Sequence, residues 1–424
     1  MNQQFWDRQF HMSDAPREFA TDIVRRLREA GFVAYFAGGC VRDLLLGRAA
    51  KDYDVATSAR PEQVRELFGQ RKTLAVGESF GVIVVLGPRA AGQVEVATFR
   101  TDLEYTDGRR PDRVEFCSPE EDAQRRDFTI NGMFYDPVDS RVLDFVGGEH
   151  DLAAGVIRAI GDPHARMTED KLRMLRAVRF TATLEFQLDA ATADAIRKMA
   201  DQLHVVSAER IAQELRKMLV DPHRRRAIEL CDDVRLLTVI FPELRDRTAW
   251  ERTLAMLSLL PAPAFELAFA VLLHMLPAAT VHAICRRLKL SNDESNRITW
   301  LVGQQNALRE AATMSLARVK RLLSHPDRDD LLQLARAALL AAEADLHPML
   351  FCEEFLARTP AAELNPPPLI TGDDLIHLGL RPGPRFKELL DTIRDAQLNR
   401  EIATNDEALA LARRLHGDPV DGTS

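Results

Sequence analysis

The stretch Phe36–Val55, FAGGCVRDLLLGRAAKDYDV, decides the fold of this 424-residue chain. Val33 to Phe36, which lead into it, are β-branched or aromatic apart from Ala34, and that suits a buried strand. Gly38 and Gly39 permit a sharp turn and let the backbone approach a ligand with no Cβ in the way. Cys40–Leu46 reads as a short helix, ended by Gly47. Asp52 and Asp54 open a second strand as D-Y-D; two residues apart on a strand, they point to one face. A carboxylate pair thus stands at a sheet end, beside amides suited to a phosphate. Like charges repel, and Mg²⁺, which prefers a carboxylate or two plus substrate phosphates, is the usual remedy. A solvated strand end is the plainer account of D-x-D taken alone. The double glycine alone is weak too, since it is not the G-x-G-x-x-G of dinucleotide sites.

Outward from this stretch, composition sets the bounds. The chain is 46% apolar, which argues for a folded protein, and its length calls for roughly two to four domains. No apolar run reaches about 18 residues, so no membrane span is expected. The N-terminal MNQQFWDRQFHMSD lacks the basic and apolar regions of a signal peptide. Cys40, Cys117, Cys231, Cys285 and Cys352 are scattered without a C-x-x-C pair, as in a reduced cytoplasmic protein with no structural zinc. The net charge of −8 counts against an RNA partner unless basic groups gather locally.

Along the chain, Ala15–Ala30 reads as an amphipathic helix and Pro61–Phe68 as a second helix. Val82–Leu86 and Val94–Phe99 read as a hairpin; Glu95, between Val94 and Val96, would by default face solvent. Thr101–Pro119, polar and basic in its middle, reads as a mobile loop. In RRDFTINGMFYD, Arg125–Asp136, the paired arginines offer forked donors for phosphate or ribose oxygens, and Asp127 could orient one of them. Asn131 can both donate to and accept from a sugar hydroxyl. A salt-bridged surface turn is the plainer account of R-R-D. Paired glycines in DFVGGEHDL, Asp144–Leu152, read as a hinge, and from about Gly155 the pattern is helical almost to the end. LNPPPL, 364–369, marks a boundary.

TEDKLRMLRAVRF, Thr168–Phe180, reads as a patterned helix with Leu172, Leu175 and Val178 in its apolar stripe. Asp170 and Arg173 lie three apart on one face, where an ordinary ion pair would account for them. Their chemistry allows more. Cytosine and adenine each present an amine donor beside a ring-nitrogen acceptor, whereas uracil and guanine present the reverse. An Asp–Arg pair can therefore accept the first two bases and reject the others, strongly so in a dry pocket.

G-G-x-V-R-D-x-L-L-G followed by D-x-D, together with EVATFR, RRDFTIN and E-D-x-x-R before MLRAVRF, resembles the class II tRNA nucleotidyltransferases and poly(A) polymerases. These are relatives of DNA polymerase β. The resemblance is dense over about residues 32–220, looser over 221–360 and recognisable again over 369–410. It implies an α+β fold: a nucleotidyltransferase head, 1–150, then an all-helical neck, 151–220, body, 221–364, and tail, 365–424. It implies that Asp52 and Asp54 hold two Mg²⁺ ions with Glu95 as third catalytic carboxylate. Gly38, Gly39, Arg42, Arg126, Asp127 and Asn131 would bind the incoming nucleotide. Asp170 and Arg173 would read its base, supported by Glu169, with Arg176 and Arg179 in the same nucleotide site and Glu209 and Glu214 holding that helix. A flexible loop with Asp107, Arg109 and Arg110 would switch the pocket from C to A, so trimming Asp107–Asp112 would spare C addition and reduce A addition. Gly132 departs from the usual alanine or serine.

The implied reaction is transfer from CTP and ATP to the 3′ end of tRNA, building CCA, in the cytoplasm. Relatives that add only A or only CC share these motifs. A poly(A) polymerase usually carries G-R-R/K-F-x-L-x-H-V after D-x-D, where this chain has VGESFGVIVV. An HD-type phosphohydrolase needs a His-Asp pair, but His274 is followed by Met275. A non-catalytic tRNA-binding module is disfavoured by the intact carboxylates.

Overall fold

In the computed structural model, residues 15–77, 81–103, 113–246, 248–380 and 383–416 are described. The chain divides into two compact units, Met1–Arg245 and Asp246–Ser424.

The first unit carries strands β1 (Ala34–Ala37), β2 (Asp54–Thr57), β3 (Thr73–Gly77), β4 (Val82–Leu86), β5 (Gln93–Thr98), β6 (Arg100–Leu103), β7 (Arg113–Phe116), β8 (Phe134–Asp136) and β9 (Arg141–Leu143). Seven of them form one mixed sheet in the order β3-β4-β5-β2-β1-β8-β9. Only β2 and β5 run parallel, with Val55 level with Val96; the other neighbours are antiparallel. The β4–β5 hairpin pairs Val84 with Glu95 as the alternation required. Strand β3, TLAVG, forms one edge of the sheet beside β4.

The expected mobile loop at Thr101–Pro119 is in part regular. Strands β6 and β7 pair as a ribbon, Arg100 opposite Phe116 and Leu103 opposite Arg113. The physical reason is that RTDL and RVEF each bring a β-branched residue to a pairing edge. The tip with Asp107, Arg109 and Arg110 lies outside the described residues.

The helices are α1 (Ala15–Glu29), α2 (Gly39–Leu45), α3 (Pro61–Phe68), α4 (Pro119–Gln124), α5 (Gly148–Ala154), α6 (Pro163–Glu169), α7 (Leu172–Thr183), α8 (Ala190–Met199) and α9 (Ala208–Leu219). Two more, Arg224–Asp233 and Leu236–Ile240, complete this unit. Helix α1 buries Ile23, Val24 and Leu27 completely, each worth roughly 1.5–3 kcal/mol relative to exposure.

Two expectations change here. The helix read over Thr168–Phe180 is two helices. Helix α6 stops at Glu169, because Asp170 adopts an extended backbone (φ −144°, ψ 107°), and α7 begins at Leu172. Of the two glycines read as a hinge, Gly148 is closely packed, while Gly147 has open space about it. Gly147 is left-handed (φ 78°) at the start of α5, and a Cβ on Gly148 would stand 2.4 Å from the Thr129 carbonyl oxygen. Asp144 accepts from the amides of Val146, Gly148 and Glu149, which fastens that turn.

The second unit is helical, from Trp250–Leu259 to Asn405–His416. Its C-terminal helices close over Ile370, Leu375, Leu389, Ile393, Ala408 and Ala412. His274, the residue weighed as a phosphohydrolase ligand, is 4% exposed. It lies between Thr253 Oγ1 and Gln305 Oε1, each 3.2 Å away. Burial pushes its imidazole down to about 4, so it is a neutral core histidine. No described helix is long and apolar enough to cross a membrane.

Candidate active site

The glycine turn links β1 to α2. Gly38 takes φ 75° and ψ −133°, a region open essentially to glycine. A Cβ on it would come within 3.2 Å of Arg126 Nη1. Across the β1–β2 pair, Ala37 stands opposite Asp54. This places the Asp54 carboxylate at the glycine turn.

The parallel β2–β5 register matches Val55 with Val96, so the preceding residues, Asp54 and Glu95, are level on neighbouring strands. Tyr53 is buried against Phe36, ring centroids 5.4 Å apart, while Asp52 and Asp54 on either side of it are exposed. The alternation expected of D-Y-D is present, although Asp52 precedes the first paired residue of β2. Asp54 keeps an exposed edge, yet its surroundings raise its carboxyl to about 6. Partial desolvation is the largest cause, the Glu95 charge is next, and Asp52 adds to them against the opposing pull of Arg126. Glu95 and Asp52 are therefore within electrostatic reach of Asp54. Among the described residues, no three His, Cys, Asp or Glu side chains form a ready-made cation cage. The donor set still suits a hard dication: its ligands are carboxylate oxygens whose mutual repulsion a cation relieves, and Mg²⁺ normally completes its shell with substrate phosphates and water.

Beside these carboxylates opens a cavity of about 480 Å³. Six arginines line it, Arg42, Arg125, Arg126, Arg173, Arg176 and Arg179, against three aspartates, Asp54, Asp127 and Asp170, so the cleft favours an anion. Gly38, Gly39 and Asn131 line it too. Arg42 donates to Asn131 Oδ1 (2.8 Å) and to Asp43 Oδ1 (2.9 and 2.7 Å). The guanidinium carbons of Arg42, Arg176 and Arg179 lie 5.2, 5.3 and 4.1 Å from the centre of the Phe180 ring, a cation–π arrangement on one aromatic post.

Asp127 was expected to orient Arg125 or Arg126, and the structure assigns that task elsewhere. Asp122, 1% exposed on α4, accepts from Arg125 (3.0 and 2.7 Å) through Oδ1 and from Arg126 (3.1 and 2.9 Å) through Oδ2. The reason is helical spacing: Asp122 is three and four residues before the arginines. Asp127 instead accepts from Arg176 (2.9 and 2.6 Å), Asn131 Nδ2 (3.1 Å) and the Phe128 amide (2.8 Å). Burial, the largest single influence, would raise its carboxyl, but Arg176, the Asn131 hydrogen bond and the Arg173 charge together outweigh it and hold it at about 2.

Asp170 and Arg173 both line the cleft but do not pair with each other. Asp170 takes two bonds from Arg210 (3.2 and 2.7 Å), and Arg173 donates to Glu169 Oε2 (2.5 Å). The helix break at Asp170 removes the i,i+3 geometry that the uninterrupted pattern implied. Arg173 also donates to the carbonyls of Arg166 (3.0 Å) and Arg125 (3.1 Å). Glu214 holds Arg179 at 2.6 Å. Asp122, Asp43 and Arg210 were missed. The D-x-x-R-R spacing could have signalled Asp122, whereas nothing local points from Arg210 to Asp170, 40 residues away.

A carboxylate pair at a strand end, a glycine turn and an arginine-lined cleft on a mixed sheet define a nucleotidyltransferase. Residues 34–158 match a family described as the poly A polymerase head domain, and 185–247 one described as a probable RNA and SrmB-binding site of polymerase A. The CCA-adding enzyme of Geobacillus thermodenitrificans is 36% identical over 403 residues, 93% of this chain and 96% of the relative. That of Lactobacillus helveticus is 33% identical over 397 residues, 92% and 95% of the two chains. The crystal structure of the Bacillus stearothermophilus CCA-adding enzyme in complex with CTP aligns with a TM-score of 0.75 at 30% identity, covering 95% of this chain and 98% of that one. The Thermotoga maritima CCA-adding enzyme complexed with tRNA shares the fold, with a TM-score of 0.67 at 20% identity and coverage of 97% and 98%. The chain belongs to the CCA-adding family of tRNA nucleotidyltransferases.

Proposed function

We propose that this protein adds C, C and A in turn to the 3′ end of tRNA, using CTP and ATP. The observation that carries the reading is the placement of Asp54 and Glu95 at one level of adjacent parallel strands, beside the glycine turn and the arginine cleft. We read the head as 1–150, the neck as 151–220, the body as 221–364 and the tail as 365–424.

Asp52 and Asp54 would hold Mg²⁺, two ions by the family's chemistry, with Glu95 beside them. Bound there, the metal would lower the pKa of the RNA 3′-hydroxyl and stabilise charge on the triphosphate and leaving pyrophosphate. Arg42 and Arg126 offer forked donors to the triphosphate, and the Gly38–Gly39 backbone lets it approach closely. Asn131, fixed between Arg42 and Asp127, keeps one acceptor and one donor site with which it would meet a ribose hydroxyl. Asp170 would accept from the exocyclic amine of C or A while Arg173 donates to the ring nitrogen. A carboxylate has about four lone-pair sites, so Arg210 can stay in place while Asp170 accepts from a base.

The test is single-nucleotide extension of tRNAs lacking CCA, ending in C and ending in CC, with each NTP in turn. C on the first two substrates and A on the third are expected. Asp54→Ala should abolish incorporation while tRNA binding survives. Incorporation within tenfold of wild type would defeat the assignment of Asp54. Failure to add C to the shortest tRNA would make this an A-adding relative.

A further inference from the structure

Three arginines of the cleft converge on one aromatic ring. Arg176 and Arg179 precede Phe180 on α7, and Arg42 reaches the same ring from α2. Each has its own carboxylate, on a different part of the chain: Asp43 for Arg42 (2.7 Å), Asp127 for Arg176 (2.6 Å) and Glu214 for Arg179 (2.6 Å). The Phe180 ring is what the three share. It is 7% exposed and lines the cleft. Phe128, buried within RRDFTIN, meets it edge to face, with centroids 5.9 Å apart and planes at 77°.

Like charges gathered in one place repel, and more strongly where water is partly excluded. Burial holds the Arg179 guanidinium below its usual range, and the Arg176 charge pushes the same way against Glu214. An aliphatic core residue would not offset that repulsion. An aromatic ring does, because its faces carry negative potential. A leucine at this position would fill most of the space and leave the cations free to separate. An anion entering the cleft would then meet dispersed arginines, and part of its binding energy would go into gathering them.

We propose that Phe180 is a positioning residue for the incoming nucleotide, its ring holding Arg42, Arg176 and Arg179 together as a preorganised receptor for the triphosphate. The inference rests on the nucleotidyl-transfer reading given above. The triphosphate is common to CTP and ATP, so the ring serves both alike. Asp170 and Arg173 are held by other partners, Arg210 and Glu169, so base choice does not depend on it.

Fluorinated phenylalanines in place of Phe180 weaken the negative face of the ring in steps while changing its size little. Full-length protein with a monofluoro, trifluoro or pentafluoro ring is compared with wild type and Phe180→Leu. The assay is single-nucleotide extension of tRNA lacking CCA with CTP, and of tRNA ending in CC with ATP. The KM for both nucleotides should rise at each step, reaching about three- to tenfold for the pentafluoro ring, the scale of one or two cation–π contacts. Phe180→Leu should raise it at least as much. The fall in kcat should be smaller than the rise in KM, because the ring touches no reacting atom, and the preference for CTP over UTP should hold. Melting temperatures separate positioning from packing. A KM that stays level or falls across the series overturns the proposal. So does a rise that follows melting temperature rather than fluorine number, which is what lost packing would give. If wild type incorporates neither nucleotide, the functional reading itself fails; if wild type is active and the series is flat, only the role of Phe180 fails.

Discussion

Replacing Asp127 by asparagine should destabilise the sheet-bearing unit with a defined pH signature. The carboxylate is 11% exposed and accepts two bonds from Arg176, which is 33% exposed. Its pKa falls from an ordinary 3.8 to about 2, a shift worth about 2–3 kcal/mol. Breaking a fully buried pair costs about 3–5 kcal/mol, but Arg176 keeps a wet edge, so the lower end of that range applies. A loss of about 2–3 kcal/mol is therefore expected at neutral pH. The folded pKa is depressed, so this contribution is complete above about pH 4 and is lost as pH falls through about 2. Urea denaturation of wild type and Asp127→Asn, followed by circular dichroism, should give a difference that is flat from pH 8 to about 4.5 and shrinks below pH 4. The variant should also raise the KM for CTP, because asparagine keeps one acceptor oxygen but sets an NH2 in place of the other, so Asn131 and Arg176 cannot both keep the acceptor that orients them. A difference under about 0.5 kcal/mol at pH 7, where ordinary surface substitutions fall, would refute the claim that Asp127 anchors the cleft.

The base-reading pair offers a second check. Arg173→Ala should lower the preference for CTP and ATP over UTP and GTP at least about tenfold, and Arg210→Ala should lower it less, since Asp170 keeps its charge but loses its clamp. Unchanged discrimination in Arg173→Ala would leave it a structural cation. In the helical unit, His274 is neutral because burial lowers its pKa from 6.5 to about 4. The unfolded chain takes up this proton first, so about 3 kcal/mol of stability, present above about pH 6.5, should be lost as pH falls towards 4. His274→Gln should flatten that part of the stability–pH curve, and an unchanged slope would show that another group titrates.

The features legible in the sequence are local ones. The strand, glycine turn, short helix and D-Y-D stretch follow from dihedral preference and two-residue alternation within some 20 consecutive residues. Glu95 was identifiable because the family strand EVATFR is itself a continuous pattern. The family was legible in the same way, through contiguous motifs. What only the tertiary structure decided is which charges meet. Asp170 had Arg173 three residues away, yet it bonds Arg210, because the backbone at Asp170 is extended and the helix is broken there. Arg173 turns to Glu169 instead. Asp127 grips Arg176, 49 residues away, while Asp122 takes the two arginines beside Asp127. In a chain with 56 basic and 64 acidic residues, almost every charge has a plausible neighbour in sequence. The choice among partners rests on distance, burial and desolvation, and these exist only once the helices have packed against the sheet.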